Sequence, residues 1–331
     1  MAKKEKTEDG ELSAIDKMYA KYKKTEQIFE APKSLEDIDT SVERLINPFL
    51  SFDRYLGGAP AKGKITTYSA FASCGKTSMA LALAGANKDS VIGFCDNEFN
   101  WSDSSYLWID KYFGIEKERI HVLQPTYLEE GAEMVEDLCE VADIVIFDGF
   151  DSLAPKGEYQ ATMEEQQMGL QARAYKKFFR RSMGKIYKSK AALIITNHLY
   201  ENIGNVFEPF KEPGGRSIHD FASQKLYLTR SNVKDKDKNT VGQEVNVTVN
   251  KDKLSGNRGA KFSLPYDNKL GFDIELDILN NAVDLGVVKQ TGAWFEYDGT
   301  KIGQGKDKAK LTLKDNPELC LEIVTLCKER F

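Results

Sequence analysis

Hydrophobic and polar positions change their period several times along the chain, and each change marks a predicted element. Residues 1–12 are polar and charged without periodicity, so no packed element is expected there. Ser13 then stands at an N-cap position ahead of Ile15, Met18, Tyr19 and Tyr22, which share one face of a short helix. That face can pack on the chain's own core or dock on a neighbouring subunit. A charged, strand-poor stretch (23–45) separates it from the main body of the chain. From about residue 46 strand-like and helix-like runs alternate. Lys64–Ala70, Ser90–Asp96, Ile120–Gln124, Asp143–Asp148 and Ala191–Thr196 read as buried strands, and Lys76–Ala86, Tyr127–Glu140 and Ala174–Lys188 as helices. This predicts an α/β fold with a mostly parallel, doubly wound sheet. After residue 223, closely spaced strands (Gln224–Thr229, Glu244–Asn250, Ala260–Leu264) predict antiparallel ribbons extending it. Residues 269–331 predict a small α+β domain, two helices around a Gly- and Lys-rich hairpin (Trp294–Lys310). The expected domains are 1–45, 46–268 and 269–331.

Bulk properties narrow the possibilities. The 331 residues are 41% hydrophobic with a net charge of −5, so any nucleic-acid contact must come from a local basic cluster. Cys74, Cys95, Cys139, Cys320 and Cys327 are scattered, and with His121, His198 and His219 they make no metal-ligand spacing. The charged N-terminus lacks the apolar core of a secretory signal, and no run is long enough to span a membrane. A cytoplasmic protein without membrane partners is expected.

The run from Ala70 to Ser78 follows a strand and opens a helix, where backbone N–H groups converge on phosphate oxygens. Ser73, Cys74, Gly75, Lys76, Thr77 and Ser78 are the predicted nucleotide-binding loop. Lys76 would reach the β- and γ-phosphates of ATP, and the Thr77 hydroxyl would ligate Mg²⁺. Ala70 stands where such loops usually begin with glycine. Asp148 ends an apolar strand, as a Mg²⁺-linked carboxylate must, and Glu98 follows another strand into the same crevice, placed to activate water.

Residues 173–190 carry eight basic and no acidic side chains, Arg173, Lys176 and Arg180 among them. An ordinary solvated helix face is the plain alternative to a DNA contact. Polar segments flank this helix at about 157–168 and 199–215, and loops this long inside α/β domains are usually functional. Together they predict a channel for a phosphate backbone, with Met168, Ile203 and Phe207 as apolar wedges.

The stretches SCGKTS, DNEFNWSDSSY, DIVIFDGFDSLAPK, MGLQAR, IITNHLYENIG, VNKDK and GAWFEYDGTKIGQGK resemble the RecA family of recombinases over almost the whole chain. Asn197-His198 and the VVK run after Gly286 look closer to phage UvsX-type members. The resemblance implies a RecA-type P-loop NTPase core and an N-terminal polymerisation helix, which favours subunit docking for Ile15–Tyr22. It implies ATP and Mg²⁺ as cofactors and a homo-oligomeric helical filament on single-stranded DNA that also engages double-stranded DNA. Single-strand-binding or mediator proteins are further partners it suggests. By position it makes Glu98 the catalytic glutamate and Asp103 and Tyr106 adenine contacts. Met168, Gly169, Arg173 and Arg180 fall on the first DNA loop and its helix, and Ile203, Gly204, Phe207, Gly214 and Gly215 on the second. Lys251 and Lys253 would reach the γ-phosphate held by the adjacent subunit, and Lys306 would help capture duplex DNA. Departures are Ala70, Gly149 where serine is usual, and His198 where glutamine links the γ-phosphate to the second loop. The family's acidic C-terminal tail is also missing, which implies less restraint on duplex capture. A ring helicase with the same core and a non-catalytic nucleotide-binding regulator are the alternatives.

Overall fold

Strand β1 (Ile65–Ala70) is buried at every position, as are Ile144–Asp148 and all but the last residue of Ala192–His198, so the centre of the sheet they form is covered on both faces. The computed structural model describes residues 41–331 except 100, 163–168, 203, 205–209, 214, 235–236 and 268–270. Ile15–Tyr22, Met168, Ile203, Phe207 and Gly214 lie outside the described residues.

In chain order, helix α1 (Leu50–Leu56) and β1 lead through the loop at 71–75 into α2 (Lys76–Ala86). Then come β2 (Ile92–Asp96), α3 (Asp103–Phe113), β3 (Ile120–Leu123), α4 (Leu128–Val141) and β4 (Ile144–Asp148). A five-residue helix α5 (Lys156–Gln160) precedes the long α6 (Leu170–Ser189) and β5 (Ala192–His198). Two short strands, β6 (Tyr200–Glu201) and β7 (Phe210–Lys211), pair as the stem of a hairpin. Helix α7 (Ser217–Phe221), β8 (Gln224–Lys234), β9 (Thr240–Asp252), β10 (Lys261–Asp267) and β11 (Gly271–Phe272) follow. The nine-stranded sheet runs β11-β10-β9-β8-β1-β5-β4-β2-β3. From β8 to β3 all pairs are parallel, and β8 to β11 are joined antiparallel, as the strand spacing predicts.

Each face of the sheet carries its own core. Met79, Leu83, Phe94, Ile109, Ile146 and Leu226 are buried on one side under α2 and α3. Val135, Cys139, Phe147, Phe178, Phe179 and Ile195 are buried on the other under α4 and α6. The helix over 174–188 is longer than its apolar pattern, because Gly169 in the left-handed region starts it at Leu170. Its buried residues Tyr175, Phe178, Phe179, Ser182 and Ile186 form one stripe, which leaves Arg173, Lys176 and Arg180 exposed.

Residues Glu43–Phe331 form one compact unit, and its C-terminal part has a separate apolar cluster. There α8 (Ile274–Asp284), the antiparallel β12 (Lys289–Thr291), β13 (Trp294–Tyr297) and β14 (Thr300–Gln304), α9 (Lys306–Asp315) and α10 (Pro317–Lys328) pack around Leu279, Phe295, Ile302 and Ile323. The predicted hairpin over 294–310 is shorter than expected: Gly305 turns the chain, and Lys306–Lys310 are already helical. The single helix expected after it is two, because Pro317 lacks the N–H to continue one and sits at the start of the next. No helix among the described residues is long and apolar enough to cross a membrane.

Candidate nucleotide site and DNA-facing surface

Four parallel strands end at the same edge of the sheet, and each delivers one part of the site. β1 ends at Ala70, fully buried between His198 of β5 and Leu228 of β8, with its φ outside the left-handed region. A methyl group therefore fits where the loop pattern usually has glycine. Gly75, at φ 87°, does need the freedom of glycine to bend the chain into α2. Lys76 is 7% exposed, and its Nζ rests on the carbonyls of Phe71 (3.3 Å) and Ala70 (3.4 Å). Burial pulls its ammonium below the ordinary lysine range, against the attraction of Glu98, Asp148 and Asp151.

Asp148, at the end of β4, accepts hydrogen bonds from Thr77 Oγ1 (2.9 and 3.1 Å) and from Thr196 Oγ1 (2.7 Å). Burial nevertheless pushes its carboxyl up to about 6, because a buried carboxylate beside Glu98 and Asp96 is costly to ionise. Gly149 follows at φ 67°, and a Cβ on it would lie 2.8 Å from Glu98 Cγ. The glycine thus gives Glu98 its seat. Glu98 comes off β2, its backbone N–H bonded to Asp96 Oδ1 (3.2 Å), while Asn97 Nδ2 donates to Gly149 O (3.1 Å) and ties the two strand ends together.

His198 closes the crevice from β5. Its Nδ1 lies 3.0 Å from Asp151 Oδ1, and its Nε2 faces Glu98 Oε1 at 3.8 Å. The hydrogen bond to Asp151 raises the imidazole above its ordinary value. Burial alone would raise Asp151, but the hydrogen bond and charge of His198 hold it below the usual carboxylate range. His198 therefore contributes stability that is complete below about pH 6.5 and is lost as pH rises through its higher folded value. Asp151 contributes above about pH 3.9 and loses its share as pH falls through its lower folded value. Thermal melts should accordingly show the advantage of wild type over His198→Gln largest near pH 6. That advantage should shrink toward pH 9 by on the order of 1–3 °C. A gap that stays constant with pH would remove the charged pair.

The phosphate loop, Glu98 and His198 line one cavity of about 340 Å³. Two further residues line it that sequence reasoning missed, Arg230 on β8 and Tyr266 on β10. Arg230 donates to the carbonyl of Ser73 (3.0 Å), and its guanidinium lies 4.6 Å from the centroid of the Tyr266 ring. A second cavity, about 450 Å³, extends from Thr77, Asp96 and Asp148 to Trp101 and Trp108, with Ser104 and Ser105 on its wall. Tyr106, half-buried with Lys117 over its ring, lines neither of these cavities. Asp103 begins α3, capped by Ser102.

Lys251 and Lys253 are not among the residues lining the phosphate-loop cavity. Lys251 Nζ donates to the carbonyl of His219, and Lys253 Nζ to that of Asp220 (3.3 Å), near the end of α7. Burial, then the neighbouring charge of Lys253, lowers Lys251 to about 8. The basic cluster of 173–190 is thinner than its sequence suggests. Arg181 pairs with buried Glu136 (3.1 Å) and Lys185 with Glu140 (2.7 Å), both on α4. Gly204 (φ 89°) and Gly215 (φ 77°) stand on either side of β7 in the 199–215 loop. Lys306 is exposed and donates to Asn280 Oδ1 (3.0 Å).

The chain matches the family model of the RecA N-terminal domain over residues 9–271 and that of the RecA C-terminal domain over 276–331. It is 32% identical to Protein RecA of Aquifex pyrophilus, covering 99% of this chain and 93% of that protein. Protein RecA of Aquifex aeolicus (strain VF5) is 33% identical, over 98% and 92% of the two chains. For Protein RecA of Clostridium tetani (strain Massachusetts / E88) the identity is 34%, over 83% and 79%. With both domain models matched in order along a sheet whose strand ends form a phosphate-loop crevice, the chain belongs to the RecA family.

Proposed function

We propose that this chain is an ATP-dependent DNA recombinase that assembles as a helical filament on single-stranded DNA and catalyses homologous pairing and strand exchange. One observation carries this function: the crevice and the 199–215 loop share side chains. His198, facing Glu98, ends β5, and two residues later Tyr200, on the stem of that loop, donates to Asp151 (3.2 Å). A signal arising at the crevice has a short hydrogen-bonded route to the loop.

The residues fit Mg²⁺·ATP. The loop amides at Ser73–Ser78 and the Lys76 ammonium suit phosphate, while Thr77 and the hard-to-ionise Asp148 offer the oxygen donors a divalent cation takes. Bound ATP would supply the free energy that switches the filament between states. Glu98 orients and deprotonates water, and His198 holds Glu98 and Asp151 in register. Asp103 and Tyr106 are the adenine contacts. Arg173, Lys176 and Arg180 with Met168 and Gly169 form the first DNA surface; Ile203, Gly204, Phe207, Gly214 and Gly215 form the second; Lys306 serves duplex capture. Lys251 and Lys253, at and just past the end of β9 with their ammonium groups resting on carbonyls of α7, act on the site of the adjacent subunit.

Lys251→Ala and Lys253→Ala should each lower DNA-stimulated ATP hydrolysis by about 10²-fold, the usual loss when one charge-stabilising donor is removed. Circular dichroism should be unchanged, because a lysine whose ammonium rests on carbonyls at a helix C-terminus contributes only about 0.3–1 kcal/mol to stability. Full turnover in both variants would take these lysines out of the site. The function itself is tested by electron microscopy with single-stranded DNA and a slowly hydrolysed ATP analogue, together with a joint-molecule assay. Helical filaments and joint molecules are expected; closed rings that unwind duplex DNA would overturn it.

A further inference from the structure

The loop at 199–215 leaves the crevice through His198 and Tyr200, but its return arm is also anchored, by residues with no part in hydrolysis. Phe210 on β7 packs edge-on against Phe71, with 5.3 Å between ring centroids. Phe71 belongs to the phosphate loop, and its carbonyl is one of the two on which Lys76 rests. Two residues beyond Phe210, Glu212 turns inward. Its side chain is 8% exposed and forms an ion pair with Lys225, itself 2% exposed. The other carboxylate oxygen accepts a hydrogen bond from Ser69. Ser69 precedes Ala70 on β1, and Lys225 lies on β8 opposite Thr67 of that strand. One carboxylate therefore bridges two adjacent strands immediately before the phosphate loop.

A buried ion pair adds little net stability over a well-packed apolar pair, yet breaking it from one side is costly, because a charge is left unpaired in the interior. An acid placed there at the foot of a loop fixes geometry more than it adds stability. Ser69 and Phe71 flank the last residue of β1, and Glu212 and Phe210 reach them from one short arm. A displacement of the phosphate loop must then move that arm, or else break the pair.

We propose that Glu212 is a positioning residue: through Lys225 and Ser69 it latches the return arm of the second loop to β1, so that the nucleotide state reaches that loop by both of its arms. The functional half of this inference rests on ATP binding at the phosphate loop and DNA binding at 199–215. The latch itself does not.

Limited digestion of the full chain with trypsin, without nucleotide, tests the latch. Glu212→Gln keeps the side-chain size and an acceptor for Ser69 but leaves Lys225 unpaired. Cleavage after Lys211 and Arg216 should become at least tenfold faster, with other sites unaffected. An unchanged rate there overturns the latch, whatever the chain does with DNA. DNA-stimulated ATP hydrolysis then tests the coupling. In Glu212→Gln the concentration of single-stranded DNA for half-maximal stimulation should rise at least tenfold, while KM for ATP without DNA stays within twofold. Wild-type DNA dependence in that variant would refute the positioning role. Should Glu212→Gln lose its fold, the double variant Glu212→Met/Lys225→Met, which buries no lone charge, decides. A normal melting curve with a shifted DNA response supports the coupling, and a normal response overturns it. Wild type without any DNA stimulation would instead sink the ATP and DNA function, leaving the digestion result to judge the latch.

Discussion

Lys76→Ala is expected to lower nucleotide affinity by about 10²–10⁴-fold and to abolish nucleotide-dependent filaments. A hydrogen bond to a charged group contributes roughly 1.5–3 kcal/mol, and in the proposed function the ammonium makes two, to the β- and γ-phosphates. Its present partners are weak: the carbonyls of Phe71 and Ala70 at 3.3 and 3.4 Å. Burial already disfavours its charge, so replacing it removes a cost from the nucleotide-free fold. Alanine is also the best helix former for the first residue of α2. The variant should therefore melt at or slightly above the wild-type temperature while failing in titrations with a fluorescent nucleotide. This pairing separates a lost phosphate contact from a damaged fold. Normal joint-molecule formation by the variant would overturn the assignment of the crevice.

Much of this crevice is legible in the sequence because its parts lie at strand ends. A run such as Ile144–Asp148, apolar until its last residue, announces both a buried strand and the carboxylate that closes it. The same holds for β2, apolar until Asp96 and followed two residues later by Glu98, whereas β1 is marked by the Gly-Lys-Thr run that follows it. Helix α3 is less visible. Its start depends on Ser102 accepting a hydrogen bond from the backbone of Ser105 (3.2 Å), and Ser104 and Ser105 close behind it hide which one is the cap. Arg230 and Tyr266 carry no local signal at all. They meet at Ser73 only because β8, β9 and β10 fold back as antiparallel ribbons, so their proximity is a property of register. Glu212 and Lys225 are similar: both look like surface charges in the sequence, and only the return of the hairpin onto β1 buries them. The basic helix errs in the opposite direction. Its eight charges are countable, but not that α4 supplies Glu136 and Glu140 to take up two of them.

Glu98→Gln is expected to bind ATP and DNA normally and to hydrolyse about 10²–10⁴-fold more slowly, the range over which a positioned general base acts. The substitution keeps the shape of the side chain, so its seat against Gly149 and the bond from its backbone N–H to Asp96 should survive. What it removes is the negative charge and, with it, the ability to take a proton from water. Other carboxylates of the crevice are poor substitutes. Asp148 is 4% exposed and occupied by the hydroxyls of Thr77 and Thr196, and Asp96 is 1% exposed and holds Gln124 (2.9 Å). Glu98, with 30% of its side chain exposed, can meet water directly. Filaments of the variant should therefore form with wild-type dependence on nucleotide yet outlast those of wild type after excess nucleotide is removed. Steady-state hydrolysis and filament lifetime measured on one preparation check both halves. Wild-type turnover would place the proton acceptor elsewhere, with His198, 3.8 Å from Glu98, as the alternative, and its raised pKa predicts that the pH profile of such a variant would shift upward.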